Sequence, residues 1–203
     1  ILGEHAQGVA AEVVHLPARN LIRLPENITF AQSAAAGLVY VTSWYSLVER
    51  GGLRPGESVL ILGAGGGVST ASIQIAKLTG CTVYVVGSSD AKCQQALDLG
   101  ADVVIDRSAD PNWSKAVYTA TGKQGVDVVV DNVGQATLPE SLRAVRRGGR
   151  ILVVGNTGDA AGGPTHLHFE IHVGEHELIN PFPLLVVADR LGRLVAAELH
   201  EVL

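Results

Sequence analysis

The 203-residue sequence contains no methionine, only two cysteines, and aromatic residues at just 4% of positions. Without a methionine, Ile1 is not a translational start, so the expectation is a piece cut from a longer chain. Two cysteines, Cys81 and Cys93, exclude a disulfide framework and fit a reduced, cytoplasmic setting. Basic residues are also few: 15 Lys and Arg against 20 Asp and Glu give a net charge of −5, which argues against a nucleic-acid surface. No apolar run reaches the length of a membrane span, and no basic-then-apolar leader opens the chain. What remains is 47% hydrophobic, enough to bury the core of one domain with an appendage.

What is abundant is glycine, 24 residues, and its placement carries the reading. Val59-Leu60-Ile61-Leu62 breaks into Gly63-Ala64-Gly65-Gly66-Gly67-Val68 and runs into the helical pattern 70–77. A glycine turn between a strand and a helix brings backbone N–H groups and the positive helix end against a phosphate. A Cβ there would block the turn or hold a pyrophosphate off.

From Ser58 strand and helix patterns alternate with short links, which predicts a parallel sheet covered on both faces. Strands are expected at 58–62, 82–86, 103–105, 126–130 and 151–154, and helices near 68–78, 90–99, 112–120 and 138–147. The last helix is stopped by Gly148-Gly149. The fold class is α/β, a Rossmann-type doubly wound sheet. Upstream, 9–16 reads as a strand, Thr29 as the N-cap of a helix, and Ala31 to Leu47 as largely buried. Leu184 to Val195 returns to helical spacing. The organisation expected is 1–50 as the end of an earlier domain with a connecting helix and 51–157 as the dinucleotide-binding domain. An atypical histidine-rich segment at 158–183 and a C-terminal element at 184–203 complete it.

After the second strand an acidic residue would accept hydrogen bonds from the ribose hydroxyls and select NADH. This chain has Gly87-Ser88-Ser89, with Asp90 and Lys92 just beyond. Small hydroxyl donors beside a cation suit a 2′-phosphate, so NADPH is favoured and NADH is the alternative. The competing reading makes Ser89 a helix cap and Lys92 a solvated charge. Arg107, ending the third strand, is either a second cation or a solvated loop residue.

The chain resembles the medium-chain dehydrogenase/reductase superfamily, nearest its zinc-free quinone oxidoreductase branch. The resemblance spans residues 1–157. It rests on Ile1-Leu2-Gly3-Glu4-His5, Gly8-Val9-Ala10-Ala11-Glu12, Leu53-Arg54-Pro55-Gly56, the Gly63–Ser69 turn, Leu99-Gly100-Ala101-Asp102, Asp131-Asn132-Val133-Gly134 and Gly148-Gly149-Arg150. It implies that Gly63, Gly66, Gly67 and Val68 line the pyrophosphate and nicotinamide side, and that Ser88, Ser89 and Lys92 form a 2′-phosphate pocket. Asn132, Val133 and Gly134 follow the fourth strand, and Gly155 and Asn156 the fifth. Thr42 matches a position that touches the nicotinamide, or is a helix-face threonine bonded to its own backbone.

Zinc-dependent members carry a thiolate or carboxylate near Leu38, where this chain has Ala36-Gly37-Leu38-Val39. The family's GroES-like catalytic domain is represented only by a remnant before residue 50. The implied activity is hydride transfer from NADPH to an activated alkene or quinone-like small molecule. No acid or base stands out as catalytic. The family's habit of pairing through a sheet edge past residue 157 also implies a homodimer. The alternatives are a non-catalytic nucleotide-binding module and a zinc hydrolase remnant.

That last alternative comes from His166-Leu167-His168-Phe169-Glu170-Ile171-His172-Val173, whose strict alternation puts His166, His168, Glu170 and His172 on one face of a strand. Two histidines at i and i+2 can share a metal, and imidazole suits zinc; an edge strand with a polar face is the plainer alternative. Residues 163–170, with Ile179-Asn180-Pro181, resemble the closing motif of lysostaphin-type zinc endopeptidases. That likeness implies a catalytic His166 and a zinc-binding His168; either the chain is a chimera joined near residue 158 or the likeness is accidental. The family's upstream histidine and aspartate motif has no counterpart in this sequence.

Overall fold

The computed structural model describes residues 11–134 and 136–154, together with the backbone of four short strands at 171–172, 178–179, 184–188 and 194–196. The chain divides into two units, 1–34 and 35–203. In the first, residues 11–16 form no strand, contrary to the sequence pattern; an apolar alternation becomes a strand only where it finds a pairing partner. A short 3-10 turn occupies Ala18–Asn20. Thr29 caps the next helix as expected. Its hydroxyl accepts the Gln32 N–H at 3.2 Å, while Gln32 Oε1 accepts the Thr29 N–H at 2.9 Å. This reciprocal pair is a capping box.

That helix, α1 (Phe30–Trp44), continues into a π-helical turn at Tyr45–Arg50. The expectation that 31–47 is largely buried fails. Ser43 is the buried residue of α1, whereas Val41 is 68% and Trp44 53% exposed. Within the second unit α1 meets its neighbour through a narrow strip, with Val39 against Gly67 and Ser43 donating to the Val68 carbonyl at 3.1 Å. An apolar composition licenses burial but does not supply a surface to bury against.

The second unit is built on β1 (Ser58–Leu62), α2 (Gly67–Leu78), β2 (Thr82–Gly87), α3 (Asp90–Asp98), β3 (Val103–Asp106), α4 (Trp113–Ala120), β4 (Val126–Asp131), α5 (Leu138–Ala144) and β5 (Val145–Val153). The strand order is β3-β2-β1-β4-β5, and every adjacent pair within it is parallel. Val59, Ile61, Val83, Val85, Val128 and Val130 belong to one core cluster; Leu60, Leu62, Tyr84, Val86, Val129 and Ile151 belong to the other. A sheet covered on both faces needs side chains of this kind at every position, which is why its strands read as unbroken β-branched runs.

Two expectations are corrected. Helix α5 stops at Ala144 rather than at Arg147, and β5 begins at Val145. Val145 pairs with Val126 and Arg150 with Val128, so residues 146–149 bulge out of the ladder. Gly148 takes φ +73°, and a Cβ on Gly149 would lie 2.8 Å from the Asp127 carbonyl oxygen. The glycines allow the bulge instead of ending a helix. Further on, 184–195 is not helical throughout. Strands β8 (Leu184–Ala188) and β9 (Leu194–Ala196) extend the sheet beyond β5 as antiparallel pairs. The open edge of β5 presents unpaired backbone groups, and pairing satisfies them where a helix would not. Of the expected strand over 166–173, Ile171–His172 (β6) pairs antiparallel with Leu178–Ile179 (β7). His166 and His168 lie outside the described residues.

Candidate functional site

A β3-β2-β1-β4-β5 order reverses direction between β1 and β4, and ligands of such sheets bind beyond the carboxyl ends of the strands at that switch point. Gly63 ends β1 with φ +85° and Gly65 follows with φ +118°. Both values lie in the region that glycine alone enters without strain. Gly66 is the N-cap of α2, and its side-chain-free turn leaves the first-turn amides of Gly67, Val68 and Ser69 without intrahelical acceptors. Free amides at the start of a helix are groups that can take an anion. Gly67 has a further reason to lack a side chain: a Cβ there would sit 2.7 Å from Val39 Cγ1.

The ends of β2, β3 and β4 gather around this turn. One cavity is lined by Leu62, Gly63, Val86 and Ser88 on the β1–β2 side, by Arg107 and Trp113 beyond β3, and by Val133 and Thr137 after β4. Ser88 receives a hydrogen bond from Lys92 Nζ at 3.4 Å, and the Lys92 stem lies 3.6 Å from where a Gly65 Cβ would be. The exposed Lys92 thus runs its stem beside the glycine turn. Ser89 occupies the N-cap position of α3, yet its hydroxyl makes no capping hydrogen bond, so the competing role as a plain cap is not what the side chain does.

On the opposite wall, Asn132 Nδ2 donates to Ser69 Oγ at 2.8 Å. The shape of this wall comes from Asp131, which is fully buried. Its Oδ1 accepts the N–H groups of Val133 at 3.1 Å and Gly134 at 2.9 Å and the Thr137 hydroxyl at 2.7 Å; its Oδ2 accepts the Ser141 hydroxyl at 2.8 Å. A buried carboxylate is tolerable only when donors surround it in this way. Neither Asp131 nor Ser69 stands out as a site residue in the sequence. An aspartate ending a β-branched strand, followed by a turn and two hydroxyl residues six and ten positions on, was the available signal.

Thr42 lies half-buried on α1 next to Ser43, outside the cavity lining. Gly155 and Asn156 lie outside the described residues. Both cysteines are buried, and burial pushes each thiol above its ordinary pKa. Among the described residues no group of three or more His, Cys, Asp or Glu is placed to hold a metal.

A parallel sheet of this order, with a glycine turn feeding a helix at its switch point, defines a Rossmann-type nucleotide-binding domain. Residues 67–178 match the family described as zinc-binding dehydrogenase. The quinone oxidoreductase of Rattus norvegicus is 36% identical over 135 residues, covering 66% of this chain and 41% of that protein. A solved NAD-dependent alcohol dehydrogenase superposes with a TM-score of 0.71 at 44% identity, covering 74% of this chain and 44% of the other. A mycobacterial protein complexed with NADPH superposes with a TM-score of 0.65 at 30% identity, covering 74% and 46%. The chain belongs to the zinc-binding dehydrogenase family, within the medium-chain dehydrogenase/reductase superfamily, and is similar to quinone oxidoreductases among its members.

It spans less than half the length of the curated relatives it matches. The dehydrogenase match runs through His166 and His168, so residues 163–170 of the segment resembling a zinc endopeptidase fall inside this family's span, and Ile179-Asn180-Pro181 lie just beyond it. Despite the family's name, the described residues do not fit zinc. Position 38 is a leucine, and no donor cluster replaces it. No described helix is long and apolar enough to cross a membrane.

Proposed function

We propose that this chain is the cofactor-binding part of an NADPH-dependent oxidoreductase that reduces a small activated alkene or quinone-like acceptor. The observation that carries the reading is the placement of Lys92 beside the glycine turn, bonded to Ser88. A cation and hydroxyl donors stand where an NADH-selective domain would carry an acid. Gly63, Gly66, Gly67 and Val68 hold the pyrophosphate. Ser88, Ser89 and Lys92 hold the 2′-phosphate, and Asn132, Val133 and Gly134 form the facing wall. Thr42 is assigned to the nicotinamide, and Gly155 and Asn156, which follow the fifth strand in sequence, to the same cofactor site. When bound, NADPH supplies the hydride; the chain's residues bind and orient it. A cytoplasmic homodimer is part of the same reading.

Fluorescence titration with NADPH and NADH tests it. Saturable binding with NADPH the tighter ligand is expected, and failure to bind either overturns it. The alternative reading is a non-catalytic nucleotide-binding module. That reading wins if NADPH binds but is not oxidised across a panel of quinones and enones. Zinc at His166 and His168 is tested separately by metal analysis after chelation and zinc repletion: stoichiometric zinc supports it, and its absence leaves a polar strand face.

A further inference from the structure

The sequence points to Thr42 and passes over Ser43, yet Ser43 is the residue that the fold engages. Its side chain is fully buried, and its hydroxyl donates to the Val68 carbonyl, in the first turn of α2, at 3.1 Å. A serine inside a helix ordinarily bonds back to a carbonyl of its own helix; this one reaches to another element. Val39 lies one turn earlier on the same face of α1, and its Cγ1 is the atom that a Cβ on Gly67 would meet. Successive turns of α1 thus dock on Gly67 and Val68. The far end of the segment is tied down too. Leu47 is fully buried in the π-helical turn, and the Arg150 guanidinium donates to the Gly51 and Gly52 carbonyls that follow it.

The Val68 carbonyl matters because of the peptide it belongs to. Val68 C=O and Ser69 N–H share one planar trans unit and point in opposite directions. The Ser69 N–H is among the first-turn amides of α2 that lack an intrahelical acceptor. A hydroxyl that holds the carbonyl therefore fixes the direction of that amide. It also polarises the peptide, since a bond accepted at the oxygen strengthens the N–H as a donor. Packing alone does not need the hydroxyl: an alanine would fill most of the same space, and the Val68 carbonyl would keep its bond within α2.

We propose that Ser43 is a positioning residue for the cofactor diphosphate, acting through the Val68–Ser69 peptide. The inference rests on the cofactor reading above and extends it to α1. The diphosphate is common to NADPH and NADH, so Ser43 strengthens the binding of both alike.

The experiment compares the full chain with Ser43→Ala and Ser46→Ala, titrated with NADPH, NADH, ADP-ribose and adenosine 2′-monophosphate, which lacks the diphosphate. Ser46 is the control: it is 1% exposed, and its hydroxyl has no hydrogen-bond partner. Ser43→Ala should weaken NADPH, NADH and ADP-ribose by about three- to tenfold. It should leave adenosine 2′-monophosphate, and the ratio of NADPH to NADH affinity, within about twofold. Ser46→Ala should leave all four ligands within about twofold. In the free protein the Ser69 amide resonances should move upfield in Ser43→Ala, the mark of a less polarised peptide, and stay in place in Ser46→Ala. Should Ser43→Ala lose its cooperative urea transition, Ser43→Cys, with its weak S–H donor, is read in the same way with a smaller loss expected. Equal weakening of all four ligands, no weakening of any, or an unshifted Ser69 amide makes Ser43 a packing residue and overturns the proposal, while leaving the cofactor reading intact. A wild-type chain that binds none of the diphosphate ligands sinks the cofactor reading, and this inference with it.

Discussion

Asn132 and Ser69 are joined by a 2.8 Å hydrogen bond from the asparagine amide to the serine hydroxyl. One follows β4 and the other lies in the first turn of α2, so the bond straps together the two strand ends that flank the switch point. Ser69 is 1% exposed, and little water can replace it. Ser69→Ala should cost about 1 kcal/mol of stability and weaken NADPH several-fold, because the wall facing the glycine turn loses its tether. Urea denaturation and fluorescence titration would read the two effects. An unchanged dissociation constant would show that the strap does not shape the crevice.

Asp131 sets the same wall from beneath. Replacing it with alanine removes a fully buried acceptor shared by two backbone N–H groups and two hydroxyls. The expected loss is about 3 kcal/mol or more. Asp131→Asn keeps one acceptor oxygen in place and should cost less than half as much. If the two variants denature at the same urea concentration, hydrogen bonding to the carboxylate is not what holds the turn.

Gly67 and Val39 make a sharper test of packing. An alanine at 67 would place its Cβ 2.7 Å from Val39 Cγ1, so Gly67→Ala should destabilise by about 1–3 kcal/mol. Val39→Ala removes the obstructing methyls. The double variant should therefore recover part of the loss, a positive coupling readable in a double-mutant cycle. Strict additivity would mean that the contact is not the cause.

The central sheet was legible in the sequence because burial on both faces leaves one solution for strands such as Val126–Asp131, a valine-rich run between turns. The cofactor turn was legible for a related reason: positive φ at Gly63 and Gly65 can be met cheaply by glycine alone. What escaped depended on partners distant in sequence. The start of β5 was hidden because Arg146-Arg147-Gly148-Gly149 looks like a helix end, and only the pairing of Val145 with Val126 reveals a bulged strand. β8 was hidden because a short apolar run fits helix and strand alike until a sheet edge is at hand. The exposure of Val41 and Trp44 was hidden because composition does not say what a helix packs on. Ser69 and Asp131 were hidden because each acts through a bond across the crevice or beneath it.

The opposite end of the sheet carries the pH dependence. Asp127, at the start of β4, accepts the Ser58 N–H at 2.7 Å and the Ser58 hydroxyl at 2.6 Å and pairs with Arg146. Burial raises its pKa, but the Ser58 hydrogen bonds and Arg146 together outweigh burial and hold the carboxyl below its ordinary 3.8. Glu57 behaves alike: burial raises it, and the bonds from Arg150 and the Arg54 N–H bring it below 4.5. A carboxyl with a depressed folded pKa contributes stability that is complete above its unfolded value and is lost as pH falls through the folded one. The urea midpoint should therefore hold level from about pH 7 to about pH 5.5 and fall progressively below about pH 4.5. Asp127→Asn should be less stable at neutral pH, because it gives up the ion pair with Arg146, and should show a shallower decline in acid. Parallel acid declines for variant and wild type would place the sensitivity in other carboxylates, with Asp102, held low by Lys77 and the Val83 N–H against the cost of burial, the next to substitute.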